Sequence, residues 1–394
     1  MSLNSHILSL NLGQIELGKA FFLRLENAFL LAKNGDIIEV LSDFDNLESD
    51  LVAWCHFKGE IFVEKKPLKH AFSYYLRKNS QENFTPTPLN VENLAPTMLG
   101  LAPRGVSTQQ GSPKYHFNLS SKENVWSDSL IKLYEEAKKA QWNATRDIAW
   151  NEIPSYEQAY EQALAQIMTY LIENEFLALY IPSQFLAQIS PFYTEVPLFL
   201  ASIIGDEARH IEAFLKRAKA TKLGVQHSSV ATQRSLYTLF NEKDYFKSSF
   251  LLHIMGEGTF IDLLAFLEEY AKDEPTKRLL YLARLDEARH VAYGQEHIKG
   301  SIKSNPHKIE LLKECVFSRR HSLDEINAES SLLIEALSVF AGGSTESNAY
   351  KKGFEMVENL KAKMHINRTQ RLVNCGIDED LAVDLSKAHT PNFM

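Results

Sequence analysis

The sequence predicts a mainly α protein, a bundle of long helices preceded by a small α+β domain. Three observations carry this expectation. Beyond about residue 122, apolar residues recur at helical spacing with few interruptions. Strand-like alternation and tight-turn chemistry are confined to the part of the chain before Asn79. Between them lies a stretch rich in proline and small polar residues, which suits a connection better than a packed element.

In the N-terminal domain, residues 1–78, alternation predicts a strand over His6–Leu12, and helical spacing predicts a helix over Leu17–Ala32. Asn34-Gly35 is a turn signal before a strand at Asp36–Leu41. A second helix is expected over Leu47–Phe57, ended by Gly59, with strands at Ile61–Val63 and Phe72–Leu76. Residues 79–121, with Pro86, Pro88, Pro96, Pro103 and Pro113, read as a linker or arm. The bundle is expected over residues 122–345, followed by a helical extension over 346–394. Its helical patterns cover Asn124–Trp150, Ser155–Tyr180, Glu195–Ala220, Lys243–Tyr270, Glu274–Lys303, Pro306–Phe340 and Tyr350–Val373, with breaks at Pro154, Pro182, Pro191, Pro275 and Gly342-Gly343. Several are much longer than an average globular helix, as is usual in bundles.

Composition narrows the function. The chain has 394 residues, 45% hydrophobic and 23% charged, and a net charge of −8, which disfavours a general nucleic-acid binder. Cys55, Cys315 and Cys375 are too widely spaced for a disulfide framework or a Cys-x-x-Cys metal site. Neither a signal-peptide pattern at the start nor an unbroken apolar run of membrane-spanning length is present, so a cytoplasmic protein without a membrane span is expected. No Walker loop or Gly-x-Gly-x-x-Gly stands out.

The sequence Asp-Glu-Ala-Arg-His occurs twice, at Asp206–His210 and Asp286–His290. Each copy places a glutamate and a histidine at i and i+3, on one helical face and within reach of one metal ion. One such pair is common on solvated helices, but two identical copies in a bundle are not. An upstream helix supplies each copy with a further acid. Setting Glu173-Asn-Glu-Phe176 over Glu257-Gly-Thr-Phe260 makes the halves a repeat, with similar steps from acid to acid, 173 to 207 and 257 to 287. Either step suits an antiparallel helix pair. The expected metal ligands are therefore Glu173, Glu207, His210, Glu257, Glu287 and His290. Glu175 is the alternative to Glu173: both lie among apolar neighbours, helical phase alone does not choose, and the repeat favours Glu173.

Four carboxylates facing one interior would repel or take up protons, and two divalent cations would cancel that repulsion. Carboxylate oxygen with imidazole nitrogen, and no thiolate, suits iron or manganese. The expected cofactor is two iron ions, with manganese or a mixed Fe/Mn pair as the alternative. His253 and His297 lie near the ligand set and read first as core or surface groups, as do Tyr170, Tyr281 and Tyr293. Lys216, Arg217 and Lys219 read as a solvated helix end.

The doubled pattern over roughly residues 150–300 resembles the ferritin-like O2-activating di-iron proteins: monooxygenase hydroxylases, acyl-carrier-protein desaturases and ribonucleotide reductase small subunits. The resemblance implies a ferritin-like bundle and O2 as co-substrate. It also implies outer roles for Asp206 and Asp286, which would accept hydrogen bonds from the ligand imidazoles, and for Arg209 and Arg289, which would hold those aspartates. Phe214 stands where radical-generating subunits carry tyrosine, and Ile261 where hydroxylases carry threonine. Ala283 and Arg284 stand where N-oxygenases carry an extra histidine. Residues 1–78 resemble the small TusA-like sulfur-carrier domain, but Gly18-Lys19-Ala20-Phe21 occupies the place of its Cys-Pro-x-Pro. A docking or oligomerisation module without persulfide chemistry is expected.

Together these features predict a di-iron oxidoreductase that uses O2 to hydroxylate, desaturate or N-oxygenate an organic substrate, with Phe176, Leu177, Phe260 and Leu264 lining or backing its pocket. The rival is a non-catalytic metal-handling or O2- and peroxide-scavenging bundle. Expected partners are a small-molecule or carrier-bound substrate and an external electron donor, with no nucleic acid and no membrane. A homodimer is compatible with this reading.

Overall fold

The computed structural model describes residues 7–81, 83–324 and 331–389. It divides into two compact units, one comprising the residues up to Asn90 with Pro96–Tyr115, the other Val91–Ala95 and the chain from His116 onward.

In the first unit, β1 (Ile7–Gly13), α1 (Lys19–Leu31), β2 (Ile37–Ser42), α2 (Glu48–Lys58), β3 (Ile61–Pro67) and β4 (Phe72–Arg77) follow one another in the order the alternation predicts. The sheet order is β1-β2-β4-β3, with β1 parallel to β2 and the other pairs antiparallel. A parallel pair needs a crossover, which α1 supplies. Phe21, Leu25 and Phe29 of α1 and Leu51, Trp54 and Cys55 of α2 cover Ile38, Val40, Tyr74 and Leu76. Those last four alternate along β2 and β4, so every second residue faces the helices. The proline-rich stretch contains a short antiparallel pair, β5 (Phe84–Pro86) with β6 (Ser107–Gln109), which its composition does not announce.

The second unit is a ferritin-like helical bundle. It contains α3 (Lys122–Val125), α4 (Leu130–Lys139), α5 (Gln158–Leu186), α6 (Glu195–Ala220), α7 (Val230–Phe240) and α8 (Tyr245–Ser249), then a π-helical segment (Phe250–Glu257). It continues with α9 (Gly258–Tyr270), α10 (Glu274–Ser304), α11 (Lys308–Asp324), α12 (Ser331–Gly342), α13 (Ser347–Asn374) and α14 (Glu379–His389). The central layers are α5 on α6, and α10 on the π segment and α9; α12 covers α5, and α13 covers α12 and α9. Gly353 permits the α12–α13 approach, since a Cβ there would lie 1.9 Å from the Ser338 carbonyl oxygen.

Several expectations change. The helix expected over Asn124–Trp150 breaks into α3, α4 and a turn-rich stretch, and in that stretch the Asn143 side chain accepts from the Thr145 and Arg146 N–H groups and competes with helix formation. Pro182 does not end α5, which runs on to Leu186 even though the proline has no N–H to donate back to the Ala178 carbonyl. The pattern expected over Pro306–Phe340 falls partly on residues 325–330, outside the described residues, with α11 and α12 on either side. Arg217 is buried, not solvated, and pairs with Asp273 and Thr276. The helical run Tyr245–Tyr270 is long and apolar enough to cross a membrane, but 89% of its most apolar window is buried within the bundle, so this apolar surface belongs to the core.

Candidate metal centre

The π segment and the helices α5, α6 and α10 each turn carboxylates inward at one level of the bundle. Glu175 comes from α5, Glu207 and His210 from α6, Glu257 from the end of the π segment, and Glu287 and His290 from α10. All six are buried. They form two overlapping groups, Glu175, Glu207, His210 and Glu287, and Glu207, Glu257, Glu287 and His290. Within each group the potential ligand atoms all lie within 4.8 Å of one another. Glu207 and Glu287 belong to both.

Glu173, favoured by the sequence repeat, is not in the cluster. Its Oε1 accepts a hydrogen bond from Gln233 Nε2 at 2.8 Å, on an outer groove of about 700 Å³. Phe176, Leu177 and Tyr180 line that groove opposite Tyr237 and Phe240 of α7. Two features defeat the repeat. The helix α7 is not among the elements that periodicity predicts, so the Glu173–Phe176–Tyr180 face reads as core. The two upstream helices also differ in winding: α5 is regular, whereas the chain before Glu257 is π-helical, and no fixed residue offset relates them. Phe260 and Leu264 are buried in the core of α9.

The imidazoles are crossed between helices. His210 Nε2 donates to Asp286 of α10 at 3.1 Å, and His290 Nε2 donates to Asp206 of α6 at 3.3 Å. These bonds orient the rings and turn each Nδ1 toward the carboxylates. His210 Nδ1 lies 3.3 Å from both Glu175 and Glu207 and 3.5 Å from Glu287. His290 Nδ1 lies 3.0 Å from Glu207, 3.4 Å from Glu287 and 3.8 Å from Glu257.

Arg209 Nη2 bonds Asp206 and, at 2.9 Å, Asp286; Arg289 Nη2 bonds Asp286 and, at 3.3 Å, Asp206. The two guanidiniums thus neutralise and lock the aspartate pair. Two further residues, for which spacing offers no signal, complete this layer: Trp142 Nε1 donates to Asp286 at 2.8 Å, and Gln141 Nε2 to Asp206 at 3.2 Å. His253, which reads from sequence as a core or surface group, donates from Nδ1 to Glu257 Oε2 at 2.6 Å. His297 serves the fold instead, bonding Ser249 and the Asn124 carbonyl.

Several polar atoms of the cluster are buried without a partner. Glu175 Oε1, both oxygens of Glu207, Glu257 Oε1, Glu287 Oε2 and His290 Nδ1 are buried and have no hydrogen-bond partner among the described residues. Such atoms are costly unless something satisfies them. Burial pushes the Glu175 and Glu257 carboxyls above the usual range. Burial would also raise Glu207, but the neighbouring Glu175 carboxyl and the two imidazoles beside it outweigh that and hold it low. Burial disfavours the charged imidazoles, yet the surrounding carboxylates hold His210 and His290 well above the ordinary histidine value. Metal-free, the cluster therefore shares protons, and cations entering it must displace them. The donor set, all carboxylate oxygen and imidazole nitrogen in two shared groups, fits a pair of first-row divalent ions.

No family model and no curated protein matches the chain. Among solved structures, an R2-like ligand-binding oxidase variant with an aerobically reconstituted Fe/Fe cofactor matches with a TM-score of 0.50 at 16% identity, over 64% of this chain and 95% of that one. Two further variants with aerobically reconstituted Mn/Fe cofactors match with a TM-score of 0.47 at 17% identity, over 62% and 66% of this chain and 94% of theirs. At this identity the likeness shows the ferritin-like fold.

Proposed function

We propose that Glu175, Glu207, His210, Glu257, Glu287 and His290 hold two iron ions or a mixed Mn/Fe pair, and that the chain is an O2-dependent oxidase of an organic substrate. The observation that carries this reading is the set of buried, unsatisfied carboxylate oxygens converging on two inward Nδ1 atoms. The oxidase that matches with a TM-score of 0.50 is described with an Fe/Fe cofactor, which supports iron as the metal. When bound, the metals would supply the redox chemistry with O2. The chain's own contribution is positioning: Glu207 and Glu287 are placed between the halves, and Asp206 and Asp286 fix the imidazoles. Arg209 and Arg289 balance the aspartate charge, and helix packing keeps bulk water away. Hydroxylation, desaturation and N-oxygenation all remain within this reading, with an external electron donor and a small or carrier-bound substrate.

The oxidase reading separates cleanly from metal storage. Given a chemical reductant, the iron-loaded protein is expected to consume O2 repeatedly while its iron content stays at about two per chain, the number such bundle sites hold. Accumulation of many ferric ions per chain without reductant-driven O2 uptake would establish a store instead.

The first unit is proposed as a TusA-like docking or oligomerisation module. Gly18 immediately precedes α1, where the sulfur carriers place their reactive cysteine, and Cys55 is buried, its thiol pushed up to about 12 by burial and by Glu60. A thiol that resists ionisation is a poor sulfur nucleophile. The three cysteines are buried and free, which supports a reducing, cytoplasmic setting.

A further inference from the structure

The two halves of the cluster are not equivalent, and the difference lies in one histidine. On the α5 side, Glu175 Oε1 has no partner and Oε2 meets His210 of the cluster itself. On the other side, Glu257 Oε1 has no partner, but Oε2 is held at 2.6 Å by His253, one turn earlier. We propose that His253 is a positioning residue for Glu257, acting on one half of the metal centre only and leaving that carboxylate a single oxygen, Oε1, to give. This inference rests on the metal-centre reading above.

The setting of His253 is built to hold it. It belongs to the π-helical segment Phe250–Glu257, whose wider turn places residues 253 and 257 where the ring and carboxylate meet. The backbone of α10 comes close beneath it: a Cβ on Gly294 would lie 2.4 Å from His253 Cβ and 3.3 Å from its Cγ. Only glycine admits the π segment at that distance. The ring packs steeply against that of Tyr293, with centroids 5.4 Å apart and planes at 79°. Tyr293 is itself pinned by a 2.6 Å hydrogen bond to Tyr245. His253 is thus fixed from below, from the side and along its own helix, and its Nδ1–H points at one carboxylate oxygen. At the matching place on α5, one turn before Glu175, stands Leu171, which has no donor to offer.

The test is a titration of metal-free protein with Co(II) alone, followed by calorimetry and by the visible absorption of the bound ion. Wild type is expected to take up about two ions per chain. His253→Phe keeps a buried ring without the donor, and should weaken one of the two steps by about 10- to 100-fold, the usual cost of losing an outer-layer partner, while moving the other by less than about threefold. His253→Asn retains an N–H near the Nδ1 position and should restore the weakened step to within about threefold of wild type. Gly294→Ala displaces the ring without removing any donor and should reproduce the selective loss seen in His253→Phe.

Unchanged steps in His253→Phe, equal losses in both steps, or failure of His253→Asn to recover in a folded protein would each overturn the assignment of His253 and leave the metal centre standing. Wild type that takes up no Co(II) would overturn the metal centre and this inference with it.

Discussion

Replacing Glu207 or Glu287 with alanine empties both halves of the cluster, so that metal content falls from about two ions per chain to well below one. The reason is their shared position, since each belongs to both groups of potential ligand atoms. Both are buried, and the imidazoles of α6 and α10 lie within 3.5 Å of each. Removing one takes a donor from each ion and unbalances the charge of the whole interior. Breaking a buried charge arrangement by removing one member costs about 3–5 kcal/mol, the equivalent of a 100-fold or larger loss in affinity. Metal analysis of purified variants after loading with iron under reducing conditions checks this. Retention of one full ion in either variant would mean that the two groups do not share these carboxylates.

Glu175→Ala should lose at least the ion on its own side, whereas Glu173→Ala should keep about two. The structure supplies the physical contrast. Glu175 is buried, its Oε2 is 3.3 Å from His210 Nδ1, and its Oε1 has no partner. Glu173 is half-buried on the outer groove and already bonded to Gln233. Removing Glu173 therefore costs one exposed hydrogen bond, a change within about 1 kcal/mol. Removing Glu175 leaves His210 facing the interior without its terminal carboxylate partner. The reverse pattern of metal contents would restore the repeat alignment and contradict the geometry.

Much of this centre is legible in the sequence because it is local. Glu-x-x-His on a helix constrains two ligands within a single turn, and both copies land where the spacing puts them. The aspartate and arginine beside them, at i−1 and i+2 of each glutamate, are expected from the family resemblance, not from helical phase. The terminal acid is not legible to the same degree. Choosing between Glu173 and Glu175 needs the knowledge that α7 leaves an open groove against one face of α5, and nothing within α5 records that. The π winding before Glu257 is also hidden, since its residues are equally good α-helix formers on paper. Trp142 and Gln141 reach Asp286 and Asp206 from an irregular stretch where the sequence predicts helix. Contacts of that kind depend on tertiary approach between residues far apart in the chain and leave no periodic trace. In the first unit the strands expected at His6–Leu12, Asp36–Leu41 and Phe72–Leu76 lie within a residue of β1, β2 and β4, whereas β3 runs on to Pro67, four residues past the expected Ile61–Val63.

The central claim is that two metal ions sit between Glu207 and Glu287. The most direct test is a crystal structure of iron-loaded wild-type protein, with anomalous scattering recorded on both sides of the iron absorption edge. Two anomalous peaks are expected, one among Glu175, Glu207, His210 and Glu287 and the other among Glu207, Glu257, Glu287 and His290, with Glu173 remote from both. A loaded protein with no peak inside the bundle, or with a peak coordinated by Glu173, would contradict it.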